Sequence, residues 1–254
     1  MNMEIKVICL NLWQGGNLMP GILEFLKNED ADILFLQEAY SGTDPGLPEN
    51  YRSIDVLANS LNYSYYDFQP AMLDIVPEGK IESGNAIFSK KPIIHSSSIF
   101  FTDQYRERNA HDPAEFSNTP RNLQKVTVEI GNEKLNLFNF QGVWDLDGDN
   151  YSPQREVMSK LIIEQIKDKS HVILAGDTNA KPTNKAIIAI EEHLTNIFGH
   201  DLVTSFNMRR KDNPGYATAC VDMIFVSPDI SVITRSCPDI DVSDHLPLIA
   251  TVKI

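Results

Sequence analysis

Ser243-Asp244-His245 stands immediately before the apolar run Leu246-Pro-Leu-Ile-Ala-Thr-Val252, and Gly176-Asp177-Thr178-Asn179 closes another, Val172-Ile-Leu-Ala175. Carboxylate oxygens hold hard cations, histidine handles a proton near neutrality, and amides donate to anionic oxygens. At the ends of strands, that combination is what metal-assisted hydrolysis of a phosphoester requires. Glu38 ends Ala31-Asp-Ile-Leu-Phe-Leu-Gln-Glu38, and Asn11 follows Ile5-Lys-Val-Ile-Cys-Leu10 in the same way. Glu38 would be a further hard oxygen donor, since magnesium takes one or two protein carboxylates and keeps several waters. Asp222 opens the apolar Val221-Asp-Met-Ile-Phe-Val226. A buried carboxylate needs a partner, either His245, whose tautomer and charge it would fix, or an arginine; the histidine is the preferred one. Asp177 and Asn179, two apart, share a side if the strand continues, whereas a turn or helix cap is the alternative.

These residues need strands to position them. Apolar patterning predicts strands near 4–10, 32–37, 64–69, 84–89, 93–100, 122–130, 134–141, 171–176, 220–227, 230–236 and 246–253. Helices fit 18–28, 52–62, 154–168 and 184–193, the third opened by Ser152-Pro153 as cap and first position. Gly131-Asn132 reads as a hairpin turn. No repeat or linker divides the chain, so residues 1–254 are expected to form a single domain. Many strands with few helices imply two packed sheets covered by helices. Two polar stretches, 101–120 and 194–218, are long enough to be functional or mobile loops.

The 254 residues carry a formal net charge of −13 and are 42% hydrophobic. An acidic surface disfavours broad, non-specific binding along a duplex, which needs many phosphate contacts from Lys and Arg. Arg106, Arg108, Arg121 and Met208-Arg-Arg-Lys211 could form a local basic rim, or could simply be solvated. The balance favours a small phosphoester or a nucleic-acid end. No apolar run is long enough for a bilayer, and an apolar alternation begins almost at once, which argues against a secretory signal. Cys9, Cys220 and Cys237 are scattered and odd in number, as expected of reduced thiols. A cytoplasmic monomer without a membrane partner is expected.

Asn11-Leu-Trp13, Leu36-Gln-Glu38, Gly84-Asn-Ala-Ile-Phe-Ser89, Gly176-Asp-Thr-Asn179, Val221-Asp-Met-Ile-Phe225 and Ser243-Asp-His245 occur in the order typical of one superfamily. The chain resembles the endonuclease/exonuclease/phosphatase superfamily, of the deoxyribonuclease I and exonuclease III type, from about Val7 to Val252. The resemblance implies an α/β (α+β) fold, a four-layer αββα sandwich of two mixed, mainly antiparallel sheets. It also implies a phosphodiesterase or nuclease, with a small-molecule phosphomonoesterase as alternative and a pseudoenzyme binding domain behind both. Glu38 would bind Mg²⁺ or Mn²⁺, with Asn11 and Asp244 assisting. His245, oriented by Asp222, would act as base or polarise the phosphate, Asp177 would position or activate water, and Asn179 would hold phosphoryl oxygens. Relatives usually carry histidine or tyrosine where this chain has Gln141, which can still donate a hydrogen bond but offers neither proton nor charge. With Gln141, Trp144 and Arg121 are candidate substrate contacts. Trp13 and Trp144 could stack on a base or sugar, or pack the rim. Asp145-Leu-Asp-Gly-Asp-Asn150 with Glu156 nearly fits a calcium loop, and reads also as a plain acidic loop leading into the helix. Arg155 on that helix is a candidate partner for the loop aspartates.

Overall fold

The computed structural model describes residues 3–101, 103–110, 112–145, 149–199 and 201–254. The chain runs β1 (Glu4–Asn11), α1 (Met19–Glu29), β2 (Ile33–Tyr40), α2 (Ser53–Ser60), β3 (Tyr65–Val76), β4 (Gly79–Ser89), β5 (Ile93–Phe100), β6 (Glu107–Asn109), β7 (Asn122–Ile130) and β8 (Glu133–Gln141). It continues through α3 (Pro153–Ile166), β9 (Val172–Asp177), α4 (Lys185–Glu191), β10 (Thr195–Asn196), β11 (Asp222–Val226), β12 (Ser231–Ser236) and β13 (Leu248–Lys253).

Seven strands form one sheet in the order β12-β13-β1-β2-β4-β3-β6, and six form the other in the order β10-β11-β9-β8-β7-β5. Parallel pairing occurs at β1–β2, β3–β6 and β8–β9, and the other pairs are antiparallel. The alternation of strand side chains explains the layering. Val7 and Cys9 of β1 face the second sheet with Phe35, Val126, Leu137, Ile173 and Ile224. Ile8 and Leu10 point the other way, onto Ile22, Phe25 and Leu26 of α1 and Ile54 and Leu57 of α2. On the far side, Phe138, Leu174 and Phe225 meet Met158 and Ile162 of α3 and Ile187 and Ile190 of α4. Central strands buried on both faces read as continuous apolar runs for this reason. The expected αββα sandwich is what the chain forms.

The inner layer is not uniformly apolar. Buried Asn139 donates to the carbonyls of Leu36 and Ala86 (both 3.0 Å) and to Gln124 Oε1 (3.1 Å), and its own Oδ1 accepts from Gln37 (2.7 Å). Gln124 Nε2 donates to Asp67 (2.7 Å), and Asn85 to Asn122 Oδ1 (2.9 Å). These amides link the two sheets just below the strand ends that carry the candidate site.

Several expected boundaries shift. The strand expected at 64–69 continues to Val76, because the register slips by one residue between Pro70 and Met72 and pairing resumes with β4. The 52–62 helix is a 3₁₀ turn, Glu49–Arg52, followed by α2. The polar stretches 101–120 and 194–218 hold β6, β10 and the 3₁₀ turns Pro113–Asn118 and Pro214–Thr218. Gly131, with φ 64°, makes the expected tight turn between Ile130 and Glu133. Ser152 caps α3 through Arg155 N–H (3.3 Å). Among the described residues, no helix is long and apolar enough to cross a membrane.

Candidate active site

Strand register assembles the site. Gln141 of β8 and Asp222 of β11 both lie opposite Asp177 of β9, so three polar side chains stand at one level of the six-stranded sheet. β8 leaves beside Asp177: Gly142 N–H donates to the Asp177 carbonyl (2.7 Å), and any Cβ at Gly142 would lie 2.0 Å from the Thr178 oxygen. Only glycine permits this approach. Asn11 ends β1 in the facing sheet. Glu38 sits in β2 where pairing with β4 shifts between Leu36 and Ala39, and its φ is 55°. Such a bulge redirects a side chain out of the alternation of its strand. Trp13, Gln14 and Asn179 share the left-handed region, a concentration of backbone strain typical of functional sites.

Asn11 Nδ2 reaches Glu38 Oε1 and Asp177 Oδ2, both at 3.1 Å, and so ties a carboxylate of one sheet to a carboxylate of the other. Its Oδ1 accepts from Trp13 N–H (2.9 Å). Gln14 N–H donates to Glu38 Oε2 (2.8 Å), and Gln141 Nε2 donates to Glu38 Oε1 (2.8 Å) and Asp177 Oδ2 (3.3 Å). Arg121 Nη1 donates to Gln141 Oε1, which fixes the way the amide points. His245 Nδ1 lies 2.8 Å from Asp222 Oδ2, with both side chains buried. The pairing expected for Asp222 is the one that forms.

The strand does not run on to Asn179, as one sequence alternative assumed. It ends at Asp177, whose Oδ1 accepts from Asn179 N–H (3.0 Å) in a tight turn, while Asn179 Nδ2 donates to Gly142 O (3.0 Å). Arg155, fully buried, donates to the carbonyls of Val143, Asn150 and Asn179 and holds this turn from beneath. Asp244 pairs with Lys211. The calcium reading includes residues 146–148, which lie outside the described residues; Glu156 pairs with Lys160 (2.6 Å) and Asp149 with Lys181 (2.7 Å).

Glu38, Asp177, Asn179, Gln141, Asp244 and His245 open onto one cavity of about 730 Å³. Trp13, Trp144 and Arg121 also line it, so every candidate residue except Asn11 and Asp222 reaches its wall, and those two stand directly behind. Trp144 meets Phe116 edge-on, with ring centroids 6.2 Å apart. Phe206 tilts against the His245 ring at 4.6 Å and against Tyr216 at 4.5 Å, and Lys211 lies over both aromatic rings. Two aromatics inside an otherwise polar stretch were the available sequence signal for this packing. The Gln14 contact is made by backbone and carries no such signal.

Electrostatics divide the roles. Burial opposes a charge on His245, but Asp222, then Asp177 and Asp244, outweigh it and raise the imidazole to about 10. Burial raises the Asp177 carboxyl; His245 opposes that rise and Asp222 adds to it. Burial works against a charged Glu38 too, yet Gln14 N–H, Asn11, His245 and Arg121 together hold it below its usual range. Asp177, Asp222 and His245 place ligand atoms within 4.8 Å of one another. With Nδ1 engaged by Asp222 and the charged ring favoured, His245 is a poor metal ligand. The hard-cation position fits Glu38 better. It is half-buried on the cavity wall and held toward the ionised form, and Asn11 ties it to Asp177, so these oxygens could hold Mg²⁺ or Mn²⁺.

An acid–amide–histidine cluster at one end of a two-sheet sandwich defines the αββα class of phosphoester hydrolases. The profile of the Endonuclease/Exonuclease/phosphatase family matches residues 10–245, and the chain belongs to that family. An endonuclease/exonuclease/phosphatase family protein from Bacteroides thetaiotaomicron has a similar structure, with TM-score 0.74 and 18% identity over 100% of this chain and 96% of that one. A mannosyl-6-phosphatase from Bacteroides thetaiotaomicron VPI-5482 gives 0.72 and 18% over 98% and 99%. TDP2 from D. rerio, complexed with single-strand DNA product, gives 0.67 and 18% over 98% of each chain. No curated protein is a significant match to this sequence.

Proposed function

We propose that the chain is a metal-dependent phosphoesterase that hydrolyses phosphodiester bonds by water attack. The observation that carries this reading is the convergence of the Asp222–His245 pair with Glu38, Asp177 and Asn11 on one open cavity. Glu38 would hold Mg²⁺ or Mn²⁺, with Asp244 and Asn11 assisting; bound there, the ion supplies Lewis-acid stabilisation of phosphoryl and leaving oxygens. His245 stays charged across the physiological range and donates through its outer nitrogen to a phosphoryl oxygen. Asp222 fixes the ring and offsets its burial. Asp177 keeps its carboxylate oriented through Asn11, Gln141 and Asn179 N–H, so it orients the attacking water and accepts its proton. Asn179 holds a phosphoryl oxygen through the remaining N–H of its amide. Gln141 serves as a neutral donor that keeps Glu38 and Asp177 in place.

The substrate is a small phosphoester or a nucleic-acid end. Of the candidate basic rim, Arg106 pairs with Glu115, Arg108 with Asp74, Arg209 with Asp239, Arg210 with Asp241 and Lys211 with Asp244. Arginines compensated in this way make a poor track for a long polyanion. The likeness to a DNA-bound TDP2 and to a sugar phosphatase supports phosphoester chemistry without choosing between those substrates. The reading treats residues 1–254 as one domain acting as a monomer, and the free thiols Cys9, Cys220 and Cys237 suit a reducing, cytoplasmic compartment.

Hydrolysis of bis-p-nitrophenyl phosphate and p-nitrophenyl phosphate with Mg²⁺, Mn²⁺ or EDTA, beside a His245→Ala control, tests the proposal. Turnover of the diester that EDTA and the substitution both abolish is the expected result. Turnover confined to the monoester would make the protein a phosphatase. Metal-independent turnover, or full activity without His245, would refute the mechanism.

A further inference from the structure

A smaller lobe of about 180 Å³ branches from the main cavity, sharing Gln14, Glu38, Arg121 and Gln141 with it. Its lining is mainly polar, and two guanidinium groups reach its wall, Arg108 and Arg121. β6 runs parallel to β3 with Arg108 opposite Asp74, which brings Arg108 Nε within 2.7 Å of that fully buried carboxylate. Tyr40 OH donates to the other Asp74 oxygen (2.6 Å), and Arg108 Nη1 donates to Thr119 (3.2 Å). Arg108 is therefore clamped along one edge, and its Nη2 has no hydrogen-bond partner among the described residues. Arg121 forms no ion pair among those residues. Its Nη1 is spent on the Gln141 amide, and its Nε is buried without a partner.

A buried guanidinium donor with nothing to meet is costly, and Arg121 Nε is one; Arg108 beside it is ion-paired to Asp74 but keeps Nη2 uncommitted, so the two arginines border the pocket with donors to spare. The oxygens of Asp74 already accept from Tyr40 and Arg108, and those of Glu38 from Asn11, Gln14 and Gln141, so neither carboxylate hydrogen-bonds Arg121. We infer that this lobe binds a second anionic group of the substrate, a phosphate distinct from the one undergoing hydrolysis, between Arg108 and Arg121. Because Glu38, Gln141 and Arg121 form a common wall with the reaction site, both phosphates belong to one molecule. The substrate class is thus a phosphodiester that also carries a terminal phosphate. The inference rests on the phosphoesterase reading and names the substrate feature that reading leaves open.

The test compares thymidine 5′-(p-nitrophenyl phosphate) with the same ester bearing a 3′-phosphate, each assayed on the wild type and on Ala110→Glu. Ala110 lines the lobe, is partly exposed and takes no part in the reaction site, so its replacement puts a carboxylate where the second phosphate would sit. In the wild type the extra phosphate is expected to lower KM about tenfold or more, the worth of one charge-assisted hydrogen bond, with kcat within about twofold. Ala110→Glu is expected to erase that preference while leaving the singly phosphorylated ester as good a substrate as before. Equal KM values in the wild type, or a preference that survives the carboxylate, would overturn the inference. If neither ester is hydrolysed, the phosphoesterase reading fails, and calorimetric titration of inorganic pyrophosphate without divalent ions decides the lobe alone. Binding that Ala110→Glu abolishes would sustain it, and identical titrations would end it.

Discussion

Replacing Asp222 by asparagine removes one charge from the buried pair with His245 while keeping the volume and an oxygen that can still accept from Nδ1. The imidazole then loses the largest influence opposing its burial, and its proton affinity falls from about 10 toward or below the ordinary value of 6.5. Two consequences follow, one for catalysis and one for stability. If the charged ring stabilises the reacting phosphate, turnover at pH 8 drops on the order of 10²–10⁴-fold, and the alkaline limb of the kcat/KM profile moves down by pH units. For stability, the native pair binds its proton until about pH 10, whereas an unfolded histidine releases it near 6.5. The pair's contribution is therefore complete below about 6.5 and lost as pH rises through 10. Within that window one extra proton on the native state gives a slope of about 1.4 kcal/mol per pH unit. Urea unfolding of wild type and Asp222→Asn at half-unit steps from pH 6 to 10 measures it. Beyond burial, Asp222 also raises the thiols of Cys9, Cys220 and Cys237, so the difference between the two curves is read for His245 from pH 6.5 to 8, below the ordinary thiol range. Parallel curves, or an unmoved alkaline limb, would falsify the assignment of His245 as a charged group.

Glu38→Gln should weaken Mn²⁺ binding by at least about tenfold in a calorimetric titration, because it removes the most accessible hard anion of the cluster; unchanged affinity would move the ion elsewhere. Gln141→His should keep activity within about tenfold, since a neutral ring can accept from Arg121 on one nitrogen and donate to Glu38 from the other. A collapse of turnover would show that the pocket depends on the amide. Arg155→Met should destabilise the protein by about 3 kcal/mol in urea unfolding, because the carbonyls of Val143, Asn150 and Asn179 lose their donor inside the fold; a loss under about 1 kcal/mol would mean that water replaces the guanidinium.

Apolar runs were legible because the central strands of both sheets are covered twice, and the residues closing those runs became the site. What stayed hidden has particular causes. The apolar pattern ends a strand at residue 69, yet a one-residue slip after Pro70 lets β3 continue to Val76 and so carry Asp74 to Arg108. β6 and β10 are too short to show a period. The sequence leaves Asp177 and Asn179 between a shared strand face and a turn, and the turn forms because Asn179 N–H is drawn back by Asp177 Oδ1. Lys211 was read as part of a basic rim, but its position against Asp244 depends on how the 194–218 segment folds over the strand ends, which no local pattern encodes. The Asp222–His245 pair was readable because a carboxylate opening an apolar strand must find a cation or a donor, and the histidine lay at the start of a neighbouring run.

The amides between the sheets bear on how the halves of the site stay aligned. Asn11 and Glu38 belong to one sheet, and Gln141, Asp177 and Asp222 to the other, so their alignment depends on the contact between the sheets. An entirely aliphatic interface resists separation but tolerates sliding, since one methyl contact replaces another at little cost. Asn139 tolerates none: a shift of an ångström would break its bonds to Leu36, Gln37 and Ala86 together and strand a buried amide. The layer acts as a detent, a single notch in an otherwise smooth track, and it lies directly under the place where sub-ångström alignment matters. Exchanges among the surrounding aliphatic residues should consequently alter stability, whereas exchanges at Asn139 or Gln124 should blur the alignment of the two sheets before they unfold anything.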